Sequence, residues 1–269
     1  MKKSQSIVWS GIIFLLVVLQ VNHAIGQESG SNRVLMAIFA HPDDEMTVAP
    51  ILSKYAKVGV KVYLVICTDG RYGTNDFTDH EAGEGLVAIR NEEMRCAAEK
   101  LGVELIHLKY HDQLKASEGY DGHVPHARKL IIDLEDIISE KKPDVIITWG
   151  PDGGSTHMDH RLVGASVTQV FISKIWDKAK KLYYVGTPSN LIEEIEQKKL
   201  AGIDSTYLKT RIEYSEEDAK KAMESLECHV SQVSPAIVTW REELSKKQKN
   251  TIYFREFVGP TEFKTELFD

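Results

Sequence analysis

The chain has 269 residues, enough for one sizeable α/β core, and its 42% hydrophobic and 27% charged residues are ordinary for a folded globular protein. Its formal net charge of −7 argues against a nucleic-acid footprint, which needs a basic face, and against attraction to anionic lipid.

The first residues read as a targeting segment. Lys2 and Lys3 precede a mostly apolar stretch from Ile7 to Val21, and the small residues around Ala24–Ile25–Gly26 precede polar Gln27–Glu28–Ser29. That layout predicts a cleaved signal peptide over 1–26, leaving 27–269 as a single domain, secreted or periplasmic, with no stable membrane span. The three cysteines, Cys67, Cys96 and Cys228, are odd in number and far apart, so free buried thiols are expected rather than a disulfide framework.

Beyond the leader, strand-like and helix-like segments alternate. Val34–Phe39 is a continuous apolar run, as in a central parallel strand. Val48, Ile51, Leu52 and Tyr55 then form a helical stripe starting near Thr47, with Pro50 in its first turn. Val62–Ile66 is a second strand, and Asp69–Gly85 is a long polar stretch that reads as a functional loop. A helix through Ile89–Leu101 stops at Gly102, and Glu104–Leu108 is a short strand. A helical stripe from Ala127 to Ile138, a buried strand at Asp144–Trp149, a helix through Val163–Ile175 and a strand at Leu182–Val185 follow. Helices around Glu216–Glu227 and Ala236–Lys247 and a strand at Ile252–Phe257 complete the chain. This alternation predicts an α/β fold: a Rossmann-like, mostly parallel sheet with helices on both faces, in a single domain.

In such sheets ligands bind beyond the carboxyl ends of the strands. The first strand ends in Ala40–His41–Pro42–Asp43–Asp44–Glu45, where three adjacent carboxylates repel one another unless a cation joins them. The fourth ends in Trp149–Gly150–Pro151–Asp152–Gly153–Gly154, followed by His157, Met158, Asp159 and His160. Together they offer a His/Asp/His donor set with a fourth position left for water, the catalytic type of zinc site.

These two motifs resemble the PIG-L/LmbE-like family of zinc-dependent N-acetylglucosamine deacetylases. The likeness runs from about Arg33 to Leu162, and Thr68–Asp69–Gly70–Arg71, Arg90–Asn91–Glu92–Glu93 and His229-x-Ser231–Gln232 fit it as well. Where the family usually has a Gly–Glu pair, this chain has Gly70–Arg71. The resemblance implies one Zn2+ per chain, held by His41, Asp44 and His160, with Asp43 as general base. His157, if protonated, would be an oxyanion donor, with Asp159 holding its imidazolium form.

Arg71 is a candidate substrate contact, and Arg90 with Glu93 is expected to be a structural ion pair. His80, His111, His123 and His126 are read as surface residues, and Trp149 as core or pocket wall. The implied reaction removes acetyl from an N-acetylated amino sugar or its glycoside, a small-molecule or glycan substrate. The alternatives are an amidase on a related acylamino-sugar conjugate and a catalytically weak carbohydrate-binding homologue. Oligomeric state is not legible.

Overall fold

The computed structural model describes residues 32–155, 157–193 and 202–257. The expected signal segment over 1–26 lies outside them. Strands β1 (Val34–Phe39), β2 (Lys61–Thr68), β3 (Glu104–Tyr110), β4 (Val145–Trp149) and β5 (Lys181–Pro188) run parallel in the spatial order β3-β2-β1-β4-β5. A two-residue strand, β6 (Gly202–Ile203), pairs with β5. Beyond β5 the sheet turns antiparallel: β7 (Thr210–Glu213) pairs with β8 (Thr251–Glu256), and β8 with β5. The late strand was expected; β7, four residues long and alternating in exposure, lacks the apolar run that marks the central strands.

The helices are α1 (Ala49–Lys57), α2 (Glu84–Leu101), α3 (Tyr120–Lys141), α4 (Met158–Ile172), α5 (Ser189–Glu193), α6 (Glu216–Leu226) and α7 (Pro235–Lys247). No helix among the described residues is long and apolar enough to cross a membrane. The period-2 pleat of β1 divides the core. Leu35, Ala37 and Phe39 pack with Ile51 and Leu52 of α1 and Met94 and Ala97 of α2. Met36, Ile38 and Ala40 pack on the other face with Leu130 and Leu134 of α3 and Val163 and Val167 of α4. Burial on both faces explains why these strands read as unbroken apolar runs.

Short-range chemistry sets several boundaries. Gly102, at φ 71°, closes α2 in the left-handed conformation that glycine adopts without a Cβ penalty. Ser215 and Asp218 form a reciprocal capping box that starts α6, and Ser234 caps α7 just before Pro235. The chain order runs outward from β1 through β2 to β3, then returns to β4 and β5. That reversal opens a crevice between the carboxyl ends of β1 and β4.

The cysteines depart from expectation. Cys67 is free and buried, but Cys96 of α2 and Cys228, just past α6, form a disulfide across 132 residues with a Cα–Cα separation of 5.8 Å. Spacing could not show this pair, because α6 reaches α2 only through packing of the C-terminal segment on the sheet. Lys57 of α1 adds an ion pair to Asp218 of α6 at 3.0 Å, joining the same two parts of the chain. Replacing both Cys96 and Cys228 with Ser is expected to lower unfolding free energy by about 2–4 kcal/mol. Urea denaturation checks this; a midpoint unchanged in the double variant would contradict the cross-link.

Candidate functional site

The loop after β1 carries three acids in sequence, and each turns to a different partner. Asp43 has a left-handed backbone, φ 115° and ψ −19°, a costly conformation for a residue with a Cβ. Its carboxylate lies 2.9 Å from Arg90 of α2, and Arg90 also donates to the carbonyls of Pro42 and Gly70. Asp44 faces β4, with Oδ1 3.1 Å from His160 Nε2 and Oδ2 3.7 Å from His41 Nδ1. Glu45 is fully buried and pairs at 2.7 Å with His229, while accepting from the Asp43 amide.

Hydrogen bonding fixes Asp44 as a carboxylate. Its Oδ2 accepts from the amides of Ala40 and His41 at 3.0 and 2.9 Å and from the Trp149 indole at 3.3 Å. Burial opposes that charge, but His160 and His41 outweigh it and hold the carboxyl well below its usual range. Burial pushes Asp43 the other way, above the ordinary carboxylate value, with Arg90 opposing. Burial disfavours a charged His229, yet Glu45 beside it raises its pKa.

His41 bridges the two motifs. Its Nδ1 lies 3.2 Å from His160 Nε2, and its Nε2 lies 3.0 Å from Asp159. Thus His41, Asp44 and His160 present two imidazole nitrogens and a carboxylate toward one point. Two donor groups, His41 with His157 and His160 and His41 with Asp112 and Asp159, bring ligand atoms within 4.8 Å of one another, and Asp44 adjoins the first through His160 at 3.1 Å. Asp159 engages His41 through Nε2, which leaves Nδ1 facing Asp44 and His160, so Asp159 serves to orient the His41 ring. A mixed nitrogen and oxygen donor set with a dense acidic surround fits a divalent metal of zinc's type.

The loop after β4 delivers His160 by close packing. The His160 ring stacks on Trp149 with centroids 4.5 Å apart and planes 1° apart, and its Nδ1 lies 2.9 Å from the Gly153 carbonyl. Gly154, at φ 63°, passes so near that a Cβ would sit 2.6 Å from the Trp149 ring. Trp149 is therefore pocket wall, as expected, and also a positioning surface.

Two assigned roles change. Asp159 was expected to hold an imidazolium at His157, but its carboxylate bonds His41 and the Gln113 amide. The helical start at Met158 turns that side chain toward His41, and His157 Nδ1 instead accepts from the Asp159 backbone amide. Burial and the neighbouring His41 and His160 rings lower the His157 pKa, so its proton belongs on Nε2 of a neutral ring. Arg71, the candidate substrate contact, is held by Asp69 and Glu84 at 2.5 and 3.1 Å and is absent from the cavity wall; Tyr72 and Gly73 line it instead.

Arg90 and Glu93 do not pair. Glu93 accepts from the Ser231 amide and hydroxyl, both at 2.7 Å, while Arg90 serves Asp43. Sequence spacing missed Arg90 as a site residue because the loop it clamps is far away along the chain. Asp112 was missed too: buried after β3, it accepts from the amides of Gly70 and Tyr72, both at 2.9 Å. It is followed by Gln113, Leu114 and Lys115, all at positive φ. A cavity of about 1270 Å3 opens over His41, Asp44 and His160, with walls from α6 and α7 including Met223, Ile237 and Trp240.

Asp44→Ala and His160→Ala are expected to lose most bound metal, and Asp159→Asn to weaken metal affinity about 10–100-fold. Asp43→Asn should keep it. Metal analysis of the purified variants checks all four; full metal retention by Asp44→Ala and His160→Ala would show that the ligands lie elsewhere.

The family model described as GlcNAc-PI de-N-acetylase, PIG-L, matches residues 36–171. A 1D-myo-inositol 2-acetamido-2-deoxy-alpha-D-glucopyranoside deacetylase from Thermobifida fusca is 28% identical, covering 88% of this chain and 99% of its own length. Among solved structures, N,N'-diacetylchitobiose deacetylase from Pyrococcus horikoshii superposes with TM-score 0.59 at 22% identity, covering 94% of this chain and 95% of that one. GalB, the 4-carboxy-2-hydroxymuconate hydratase of Pseudomonas putida, superposes with TM-score 0.62 at 13% identity, covering 87% of this chain and 100% of that one. With the matched region spanning both motifs that build the site, the chain belongs to the PIG-L family.

Proposed function

We propose that the chain is an exported, zinc-dependent N-deacetylase that releases acetate from an N-acetylated amino sugar carried on a larger glycoside. One observation carries this reading. His41, Asp44 and His160 converge while the adjacent Asp43 stays out of that cluster, held against Arg90 with its own carboxylate toward the cavity. A binding module has no use for such a base.

A zinc ion held by His41, Asp44 and His160 would supply Lewis acidity toward the amide carbonyl and the attacking water. Asp43 takes the proton that the water gives up as its oxygen bonds to the acetyl carbon. Burial, which raises Asp43, improves it as a base at neutral pH, and Arg90 fixes the carboxylate's direction. The carbonyl oxygen gains negative charge, and the Nε2–H of neutral His157 is the donor the chain offers to it. As the C–N bond breaks, Asp43 returns its proton to the leaving nitrogen, giving acetate and the free amine.

The substrate class rests on the relatives, which are named for deacetylating N-acetylglucosamine glycosides, and on room. A cavity of about 1270 Å3 exceeds the needs of one sugar ring, so a glycoside or oligosaccharide fits it better than free N-acetylglucosamine. Export is supported by the signal-like start and by the Cys96–Cys228 cross-link, since disulfides persist in oxidising compartments. Intact-mass analysis of the exported protein should show the chain without its first 26 or so residues; a full-length cytosolic species as the only form would refute export.

Acetate release from N,N'-diacetylchitobiose and from phenyl N-acetylglucosaminide tests the activity directly. Turnover should stop with chelator and return with zinc. Asp43→Asn should lose about 10²–10⁴ in kcat. Near-normal turnover by Asp43→Asn would return Asp43 to a purely structural place in the loop.

A further inference from the structure

The wall of the cavity facing the metal ligands comes from α7, outside the region matched by the family model. Two of its residues, Trp240 and Arg241, line the same cavity as His41 and Asp43. The guanidinium carbon of Arg241 lies 5.0 Å from the Trp240 ring centroid, a distance suited to cation–π contact that orients a guanidinium without neutralising it. Arg241 Nε is buried and has no hydrogen-bond partner among the described residues.

A buried, unsatisfied guanidinium nitrogen is costly. Burial lowers the Arg241 pKa to about 10 even with Asp43 and Glu45 acting on it, which still leaves it fully charged at neutral pH. Those two acids are already committed, Asp43 to Arg90 and Glu45 to His229. The planar donor fork of arginine matches the paired oxygens of a carboxylate or phosphate.

We propose that Arg241, backed by Trp240, is the recognition element for an anionic group, a carboxylate or a phosphate, on the portion of the substrate beyond the acetylated sugar. This rests on the deacetylase reading of the cavity and narrows it to acidic glycosides. The sugar's acetamido group lies over His41, Asp44 and His160, and the aglycone extends toward α7. Arg241 is then a specificity-determining residue.

The test uses three matched N-acetylglucosaminides whose aglycones are phenyl, 4-carboxyphenyl and 4-phosphonooxyphenyl. Acetate release should favour one or both anionic glycosides over the neutral one, through KM, by about 10–100-fold in kcat/KM. The carboxylate and phosphate arms show which oxyanion is read. Arg241→Gln should reduce the anionic-to-neutral ratio by the same factor, and Arg241→Lys should restore part of it. A ratio near one in the wild-type protein, or a ratio unaltered in Arg241→Gln, would overturn the proposal.

Equal losses on all three glycosides in Arg241→Gln, with a lowered melting temperature, would also overturn it and make Arg241 a structural charge partner of Asp43 and Glu45. Calorimetric binding of the deacetylated products separates this inference from the activity on which it rests. Arg241-dependent preference for the anionic amine without any acetate release would sink the deacetylase reading alone. Acetate release without charge preference would sink only this proposal.

Discussion

Everything at the site depends on keeping Asp43, Asp44 and Glu45 apart. Three adjacent carboxylates in a largely buried loop are untenable unless each has its own compensating charge. The left-handed backbone at Asp43 separates them. One acid is sent to Arg90, the next to His160 and His41, and the third to His229. The strain at Asp43 is a local cost borne by the packing around it. It also leaves Asp43 beside the cluster of His41, Asp44 and His160 rather than within it.

The C-terminal segment is a working part of this arrangement. His229 compensates Glu45, Ser231 binds Glu93, and the Gln232 amide donates to the Gly73 carbonyl at 2.7 Å. All three follow directly after Cys228, whose disulfide to α2 ties their short segment to the helix that carries Arg90 and Glu93. A region of ordinary polarity thereby completes the loop built after β1 and also walls the cavity.

The same architecture superposes on a hydratase and on a deacetylase, so the sheet alone decides no chemistry. The chain's chemistry rests on the set of side chains at the switch point between β1 and β4. The reversal of chain order there places His41 and His160 in contact although 119 residues separate them. Any pair of motifs at those two strand ends would meet; these two bring opposed imidazoles and a carboxylate.

How much of this was legible in the sequence follows from the range of each interaction. Apolar runs such as Val34–Phe39 and helical stripes such as Ala127–Ile138 announce a doubly covered parallel sheet, because burial imposes its period on neighbouring residues. The same local logic placed the acidic cluster and the histidines at strand ends, with candidate roles among them assigned by the family resemblance. It could not pair Cys96 with Cys228, turn Asp159 from His157 to His41, occupy Arg71 with Asp69 and Glu84, or direct Arg90 to Asp43 instead of Glu93. Helical spacing made the last pair look natural, but the energy of a buried charge is decided by whichever opposite charge the fold brings within a few ångströms. The sequence by itself determined the elements and the residue types at the site. Only the tertiary structure decided which basic side chain each acid of the β1 loop meets, since Arg90, His160 and His229 lie far along the chain from that loop and only the packed sheet closes the distance.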